Sequence, residues 1–278
     1  ESDTIHIWNP DDPLPMIMSG LYRVIELKDG KILSWDDDNF CLWSADGLFI
    51  HKFAHQQADI WQVKELTYGR IITIKKPTTS DYDNFQSIYL WDINGQLVKT
   101  IPSHKGSIDS LFPLRDGRFI SSGSDLLLRL WDSDGNLLAL MAGHMTYSIA
   151  PVLELQDGRI ITWGEDFKTY LWQLPPYDMP VPKTPLVINP IAKLDMGVRR
   201  LYLHSIIELP DGRVVTCGSE NIINVWYLRA SLYLLQGEHI KPRKRLVNHT
   251  GQVNRLKLLR DGTFISCGAD GTMCLWQV

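Results

Sequence analysis

A spaced series of apolar–tryptophan pairs runs along this chain: Ile7-Trp8, Leu42-Trp43, Leu90-Trp91, Leu130-Trp131, Leu171-Trp172, Val225-Trp226 and Leu275-Trp276. Successive tryptophans in this series are 35, 48, 40, 41, 54 and 50 residues apart, scattered about the ~40–45-residue period of a four-stranded repeating unit. A second marker lies upstream of the tryptophan. Asp29-Gly30-Lys31, Asp116-Gly117-Arg118, Asp157-Gly158-Arg159, Asp211-Gly212-Arg213 and Asp261-Gly262-Thr263 each separate two short apolar runs, with Tyr68-Gly69-Arg70 a degenerate sixth. Asp-Gly in that setting is expected to close a tight two-residue hairpin in which both central residues have positive φ. A third marker, Asp46-Gly47, Asn94-Gly95 or Asp134-Gly135, follows the tryptophan and turns a third strand into a fourth.

One unit therefore reads as strand a over 149–155, an Asp-Gly turn, strand b over 159–163, a tight turn, strand c over 169–172, and a strand d. Every connection is expected to be a short hairpin. Parallel pairing needs crossovers of roughly a dozen residues or more, so these meanders predict an all-β fold. Each meander leaves two apolar faces, and radial stacking around a channel covers both while leaving only short edges. The expected architecture is a β-propeller of four-stranded antiparallel blades.

Blade number follows from counting. Six complete a-b-c sets end at Trp43, Trp91, Trp131, Trp172, Trp226 and Trp276, while the N-terminus offers only a strand c over 5–8 and a strand d over 14–18. Six blades close if 14–18 supplies the missing outer strand of the last blade, leaving 5–8 over. Seven would need two further inner strands upstream. Six is the preferred reading. Residues 1–278 are expected to form a single propeller domain, excised from a longer chain because the sequence opens Glu1-Ser2-Asp3 without an initiator Met.

The chain closely resembles the WD-repeat (WD40) family. The motif Leu128-Arg129-Leu130-Trp131-Asp132 and the ending Ala142-Gly143-His144 carry the likeness, which runs over essentially the whole chain. The resemblance implies a hydrogen-bonded set in each blade: a His before strand a, a Ser or Thr on strand b, an Asp in the b–c turn and the Trp of strand c. Three sets are complete: His104, Ser121, Asp125 and Trp131; His144, Thr162, Asp166 and Trp172; His249, Ser266, Asp270 and Trp276. A fourth keeps His55, Thr73 and Trp91 with a long b–c loop. The unit ending at Trp226 keeps Thr216, has Glu220 for the Asp, and has Gly197-Val198-Arg199 where the His would stand.

Two insertions interrupt the period. Residues 175–185 hold five prolines in eleven positions, which favours a stiff, extended c–d loop. Residues 229–245 contain Lys241-Pro242-Arg243-Lys244-Arg245, preceded by an apolar stretch over 230–235 that fits a helical turn or a longer strand c.

The chemistry expected of such a chain is sparse. Four histidines (His55, His104, His144, His249) occupy one repeated position, which spreads them over different blades instead of gathering them round a metal. The aspartates divide between Asp-Gly turns and b–c turns. No nucleophile-elbow, phosphate-loop or dinucleotide motif occurs, so neither enzyme chemistry nor a cofactor or metal is expected. The cysteines Cys41, Cys217, Cys267 and Cys274 show no paired spacing and read as reduced, buried thiols. Lys and Arg number 28 against 32 Asp and Glu, a net charge of -4, which argues against a general nucleic-acid or anionic-membrane surface. No apolar run approaches the ~18 residues of a membrane span. The resemblance places the protein in the cytoplasm.

What remains is surface. Loops joining strand d to the next strand a carry Trp61, Tyr147, Tyr202, Arg199 and Arg200, with Arg255 nearby, residue types enriched at interface hot spots. Trp35 and Trp163 precede b–c turns on the same rim, and Tyr82 and Phe85 lie in the b–c loop over 76–86. The expected function is a non-catalytic scaffold that presents this rim to a protein or peptide partner, the arginines favouring an acidic ligand. The alternatives are a propeller hydrolase with channel carboxylates, and an anionic-lipid or nucleic-acid reader using 241–245.

Overall fold

The computed structural model describes residues 4–7, 16–19, 23–36, 40–53, 60–75, 85–146, 149–197, 201–228 and 238–278; side chains are not described at 4–7, 16–19, 68, 85, 149–151 and 238. The fold is all-β, with one 3-10 turn at Thr67–Gly69. Strands β1 (Thr4–Ile7) and β2 (Met16–Ser19) pair with each other. They are followed by antiparallel blades. Blade 1 is β3 (Arg23–Glu26), β4 (Ile32–Trp35), β5 (Phe40–Trp43) and β6 (Phe49–Lys52). Blade 2 is β7 (Ile60–Glu65), β8 (Ile71–Lys75), β9 (Phe85–Trp91) and β10 (Leu97–Lys105). Blade 3 is β11 (Ile108–Pro113), β12 (Phe119–Gly123), β13 (Leu128–Trp131) and β14 (Leu137–Met141). Blade 4 begins with β15 (Ile149–Glu154), β16 (Ile160–Gly164) and β17 (Thr169–Trp172), then β18 (Leu186–Ile188) leaves for another sheet before β19 (Ala192–Leu194) returns as the fourth strand. Blade 5 follows the same course: β20 (Leu203–Glu208), β21 (Arg213–Gly218), β22 (Ile222–Tyr227), the excursion β23 (Glu238–Ile240), and β24 (Lys244–Val247). The last sheet has three strands, β25 (Val253–Leu258), β26 (Phe264–Gly268) and β27 (Met273–Trp276).

The chain divides into two compact units, residues 1–125 with 130–138, and residues 126–129 with 139–278. In the first, Leu27, Leu33, Phe40 and Phe53 of blade 1 pack on Ile60, Val63, Ile71 and Trp91 of blade 2, and a second cluster joins Ile72, Ile88 and Leu90 to Ile108, Leu111 and Phe119. In the second, Leu155, Ile161 and Leu171 of blade 4 meet Val214 and Trp226 of blade 5. Val215, Ile223 and Val225 in turn meet Val253, Leu256 and Phe264. Alternate side chains of each inner strand thus serve both faces of a blade, the need that drove the stacking argument.

Three expectations change. The strand proposed to complete the last blade, now Met16–Ser19, is hydrogen-bonded to Thr4–Ile7, the fragment that was to be left over. The Asp-Gly turns are not doubly left-handed. In each, one amide donates across five residues, as Leu155 N to Arg159 O at 2.8 Å, while Gly158 N donates back to Leu155 O at 3.0 Å. Only the glycine has positive φ, +84° at Gly158. This is the three-residue loop with a glycine bulge, and the Asp caps it by accepting the amide two residues on, Arg159 N to Asp157 Oδ1 at 3.1 Å. Third, two c–d connections are not hairpins at all. After the proline-rich stretch, β18 runs parallel to β14, with Ala139 opposite Leu186 and Met141 opposite Ile188. Within the second insertion β23 runs parallel to β19, with Ala192 opposite Glu238 and Leu194 opposite Ile240. Each insertion is a strap that lends a fifth strand to the outer edge of the preceding blade, which removes an exposed row of backbone donors and acceptors. The apolar stretch over 230–235 lies outside the described residues.

Candidate functional site

The framework of the site is a bond repeated in all six described blades. The strand-c indole donates to a strand-b hydroxyl: Trp43 to Ser34 at 2.6 Å, Trp91 to Thr73 at 3.0 Å, Trp131 to Ser121 at 2.9 Å, Trp172 to Thr162 at 2.8 Å, Trp226 to Thr216 at 2.9 Å and Trp276 to Ser266 at 2.8 Å. In three blades it extends outward. Ser121 also bonds His104 Nε2 at 2.7 Å, and His104 Nδ1 meets Asp125 at 2.8 Å. Thr162, His144 and Asp166 make the same chain at 2.8 and 3.1 Å, as do Ser266, His249 and Asp270 at 2.7 and 3.1 Å. A carboxylate only accepts, so Nδ1 carries the imidazole hydrogen and Nε2 accepts from the hydroxyl. Burial works against ionising Asp166, but the hydrogen bond from His144 and the amides of Met145 and Lys168 outweigh it and hold the carboxyl below its ordinary range. Asp270 is depressed first by Thr272. In blade 5 the place of the histidine is taken by a sulfur. Thr216 Oγ1 donates to Met196 Sδ at 3.9 Å, so Met196, and not the Gly197-Val198-Arg199 run, fills it. His55 lies outside the described residues.

Against this framework the innermost strands carry a repeated irregularity. The pairing of strand a with strand b slips by one residue between Ile60 and Gln62, Ile108 and Ser110, Leu203 and Ser205, and Val253 and Arg255. Such bulges take one residue out of the ladder and re-aim its side chain. The residues so placed are Trp61, Asp109, His204 and Asn254. The next position clasps the neighbouring blade. Arg23 Nη1 donates to Trp61 O at 2.6 Å and its guanidinium lies 5.1 Å from the Trp61 ring. Gln62 Oε1 accepts Leu111 N at 2.6 Å, and Ser205 Oγ accepts Leu256 N at 3.2 Å. His204 Nδ1 donates to Val253 O at 3.1 Å.

The nominated contacts separate by burial. Trp61 is 42% exposed and Tyr202 52%, the latter set edge-on to Phe167 with ring centroids 4.6 Å apart. Arg255 is exposed on β25. Trp35 and Trp163, also nominated as rim contacts, are 6% and 8% exposed and have almost no surface to offer. Trp35 packs with Leu33, Phe40 and Leu42 in the core of the first unit: a strand-b side chain next to a turn still points between blades. Tyr147, Arg199, Arg200 and Tyr82 lie outside the described residues, and Phe85 begins strand β9 instead of lying in a loop. Of the basic run, Lys241 and Arg243 are exposed, while Lys244 and Arg245 are part of β24.

Among the other titratable groups, burial pushes the Asp109 carboxyl up to about 6 against a hydrogen bond from Ser107. All four cysteines are free thiols. Cys217 is buried, which pushes its thiol up to about 12, whereas Cys267 and Cys274 are only half-buried.

Comparison with known proteins speaks to this repeated geometry. The family described as WD domain, G-beta repeat matches residues 95–132 and 240–277. Those two stretches are WD repeats. The chain is similar to the nuclear distribution protein PAC1 of Arthroderma otae, 38% identical over 64 residues that make up 21% of this chain and 14% of that protein. Its fold is that of the WD40 β-propeller domain of Doa1, with a TM-score of 0.54 at 15% identity, covering 98% of this chain and 85% of that one.

The chain also holds structural residues that motif reading passed over. The arginine of the Asp-Gly-Arg turn does more than end a turn. Arg159, buried, pairs with Asp157 at 2.7 Å and donates to Leu228 O of the next blade at 3.1 Å. Arg213 pairs with Asp211 and donates to Val278 O at 2.7 Å. Both carbonyls lie two residues after a strand-c tryptophan, a spacing visible in the sequence once the repeats are aligned. Glu65 and Glu208, equivalent in strand a, accept Lys28 N and Gln156 N at 2.9 and 2.8 Å.

Proposed function

We propose that this WD-repeat protein is a non-catalytic scaffold that captures a protein or peptide partner on its strand-a bulges and d–a loops, and that it works as a single domain in the cytoplasm. One observation carries the reading. At equivalent bulges the chain places Trp61, Asp109, His204 and Asn254, four unlike side chains on the same backbone feature, while the tryptophan–hydroxyl bond beneath is the same in every blade. A constant framework bearing dissimilar displayed groups is suited to recognition. Trp61 is the anchor in its unit, since Arg23 fixes its backbone and stacks on its ring, so binding immobilises little more of it. Arg255 supplies a bidentate donor for a carboxylate.

The test is capture. Trp61→Ala and Arg255→Ala, singly and together, are compared with the parent chain in pull-downs read by mass spectrometry. Loss of the same proteins with an unchanged melting temperature supports the site, and full retention by the double variant rejects it. The hydrolase alternative rests on Asp109, whose raised titration suits a general acid. Glycoside or ester turnover abolished by Asp109→Asn would favour it over the scaffold.

A further inference from the structure

We infer that the cleft at the outer edge of blade 4 is a second recognition site, which takes an anionic oxygen group, carboxylate or phosphoryl, followed in an extended peptide by an aromatic or aliphatic side chain. This deepens the scaffold reading and rests on it. The cleft measures about 520 Å³, and its walls are the b–c turn at Asp166, Phe167 and Lys168, strand β19 with Lys193 and the residues after it, and His239 on the strap β23. The last wall exists because the second insertion lays β23 beside β19.

Charge decides what the cleft can hold. Parallel register sets Lys193 directly opposite His239. A basic pair so placed is unfavourable when the imidazole is protonated, and an anion lying between the two reverses the sign. Two carboxylates also line the cleft, each tied to backbone amides. Asp166 accepts His144, Met145 N and Lys168 N, and Asp195 accepts Gly197 N at 3.0 Å. Among the described residues, the side chains of Lys193, His239 and Arg245 make no hydrogen bond or ion pair with the protein. The Arg245 guanidinium covers Gly197, where a β-carbon would lie 2.6 Å from Nη2. Lys168 Nζ is 4.0 Å from Asp166, at the limit of pairing. The cleft thus gathers basic donors of which only Lys168 comes within pairing distance of an acid beside it.

The apolar half comes from Phe167. It is held at φ +58°, at the turn position that is Gly271 at φ +74° in the last blade. For a residue with a β-carbon that conformation costs about 1–2 kcal/mol, and in it the aromatic ring stands at the cleft, edge-on to the half-exposed Tyr202. Donors for an anion and a ledge for an apolar side chain are therefore adjacent.

Fluorescence anisotropy of the full chain tests this, with fluorescein-labelled Ser-Gly nonapeptides carrying Glu-Phe, phosphoserine-Phe, Gln-Phe or Glu-Ala at the centre. Glu-Phe or phosphoserine-Phe is expected to bind, and whichever binds tighter names the source of the anion. Gln-Phe should bind at least about tenfold more weakly, the loss of one charge-assisted hydrogen bond. Lys193→Glu should cost a similar factor and Lys193→Arg should restore binding, while Lys257→Glu, an exposed charge elsewhere, changes nothing. Equal affinity for Gln-Phe, a Lys193→Glu affinity within twofold of the parent, or no binding of either anionic peptide at about 1 mM overturns the inference. Trp61→Ala in the same assay keeps the two readings apart. Peptide binding that survives Trp61→Ala but not Lys193→Glu belongs to the cleft, even if Trp61→Ala leaves partner capture intact and so defeats the rim.

Discussion

Replacing Thr162 with valine should destabilise the protein far more than replacing it with serine. Thr162 is fully buried, and its hydroxyl accepts the Trp172 indole hydrogen while donating to His144 Nε2, each at 2.8 Å. Valine fills the same volume, so no cavity opens, but a buried N–H and a buried ring nitrogen lose their partner together. At roughly 1–3 kcal/mol for each unsatisfied buried group, the cost is about 2–6 kcal/mol, or roughly 4–12 °C in Tm for a chain of this size. Serine keeps the hydroxyl and gives up one methyl, a loss of about 1 kcal/mol, and serine is what Ser121 and Ser266 supply at the same place. Urea denaturation followed by tryptophan fluorescence measures both. If apolar filling were what mattered here, the order would reverse, with valine the milder change; that result would refute the hydrogen-bond account of the framework.

Arg159→Ala should cost about 1–2 kcal/mol, because it removes the buried guanidinium's bond to the Leu228 carbonyl of the next blade and its pair with Asp157, and Arg159→Lys should not rescue it, since one ammonium cannot span both partners; chemical denaturation reports each. Asp109→Asn should raise Tm at pH 7 and leave it unchanged near pH 3.5. The folded carboxyl titrates at about 6 against 3.8 unfolded, so its contribution is fully present below the unfolded value and is lost as pH rises through the folded one; differential scanning fluorimetry across pH shows whether the gain is confined to the higher range. Val187→Pro should break the parallel strap, since proline cannot donate to the ladder, and hydrogen exchange should quicken at the Ala142 amide, which now donates to Ile188 O, without loss of the blade's inner strands.

Local chemistry explains which parts of this protein could be read from its residues. Trp131, Ser121, His104 and Asp125 are recognisable as a set through the resemblance to WD repeats, and their bonds close within one meander. Trp61 could be picked out as a bulky residue beside an inner strand, yet its equivalents Asp109, His204 and Asn254 could not, because a bulge is visible only when the pairing register is known. Trp35 and Trp163 misled for a related reason. Their closeness to a turn suggested surface, but the orientation of a strand side chain is set by the pleat, and both are buried, Trp35 in the packing between blades 1 and 2.

The sequence alone determined the all-β character and the blade period, since each depends on residues within about forty positions and on the two-residue alternation of a strand, while the tryptophan–hydroxyl framework was legible through the resemblance to WD repeats. Only the tertiary structure decided where the two insertions go. A proline-rich or basic loop carries no mark of the edge it will cover, and that edge belongs to another blade. The parallel registers of β18 on β14 and of β23 on β19, and with them the wall that sets His239 opposite Lys193, come from hydrogen bonds that segments distant along the chain can make only after the blades have formed.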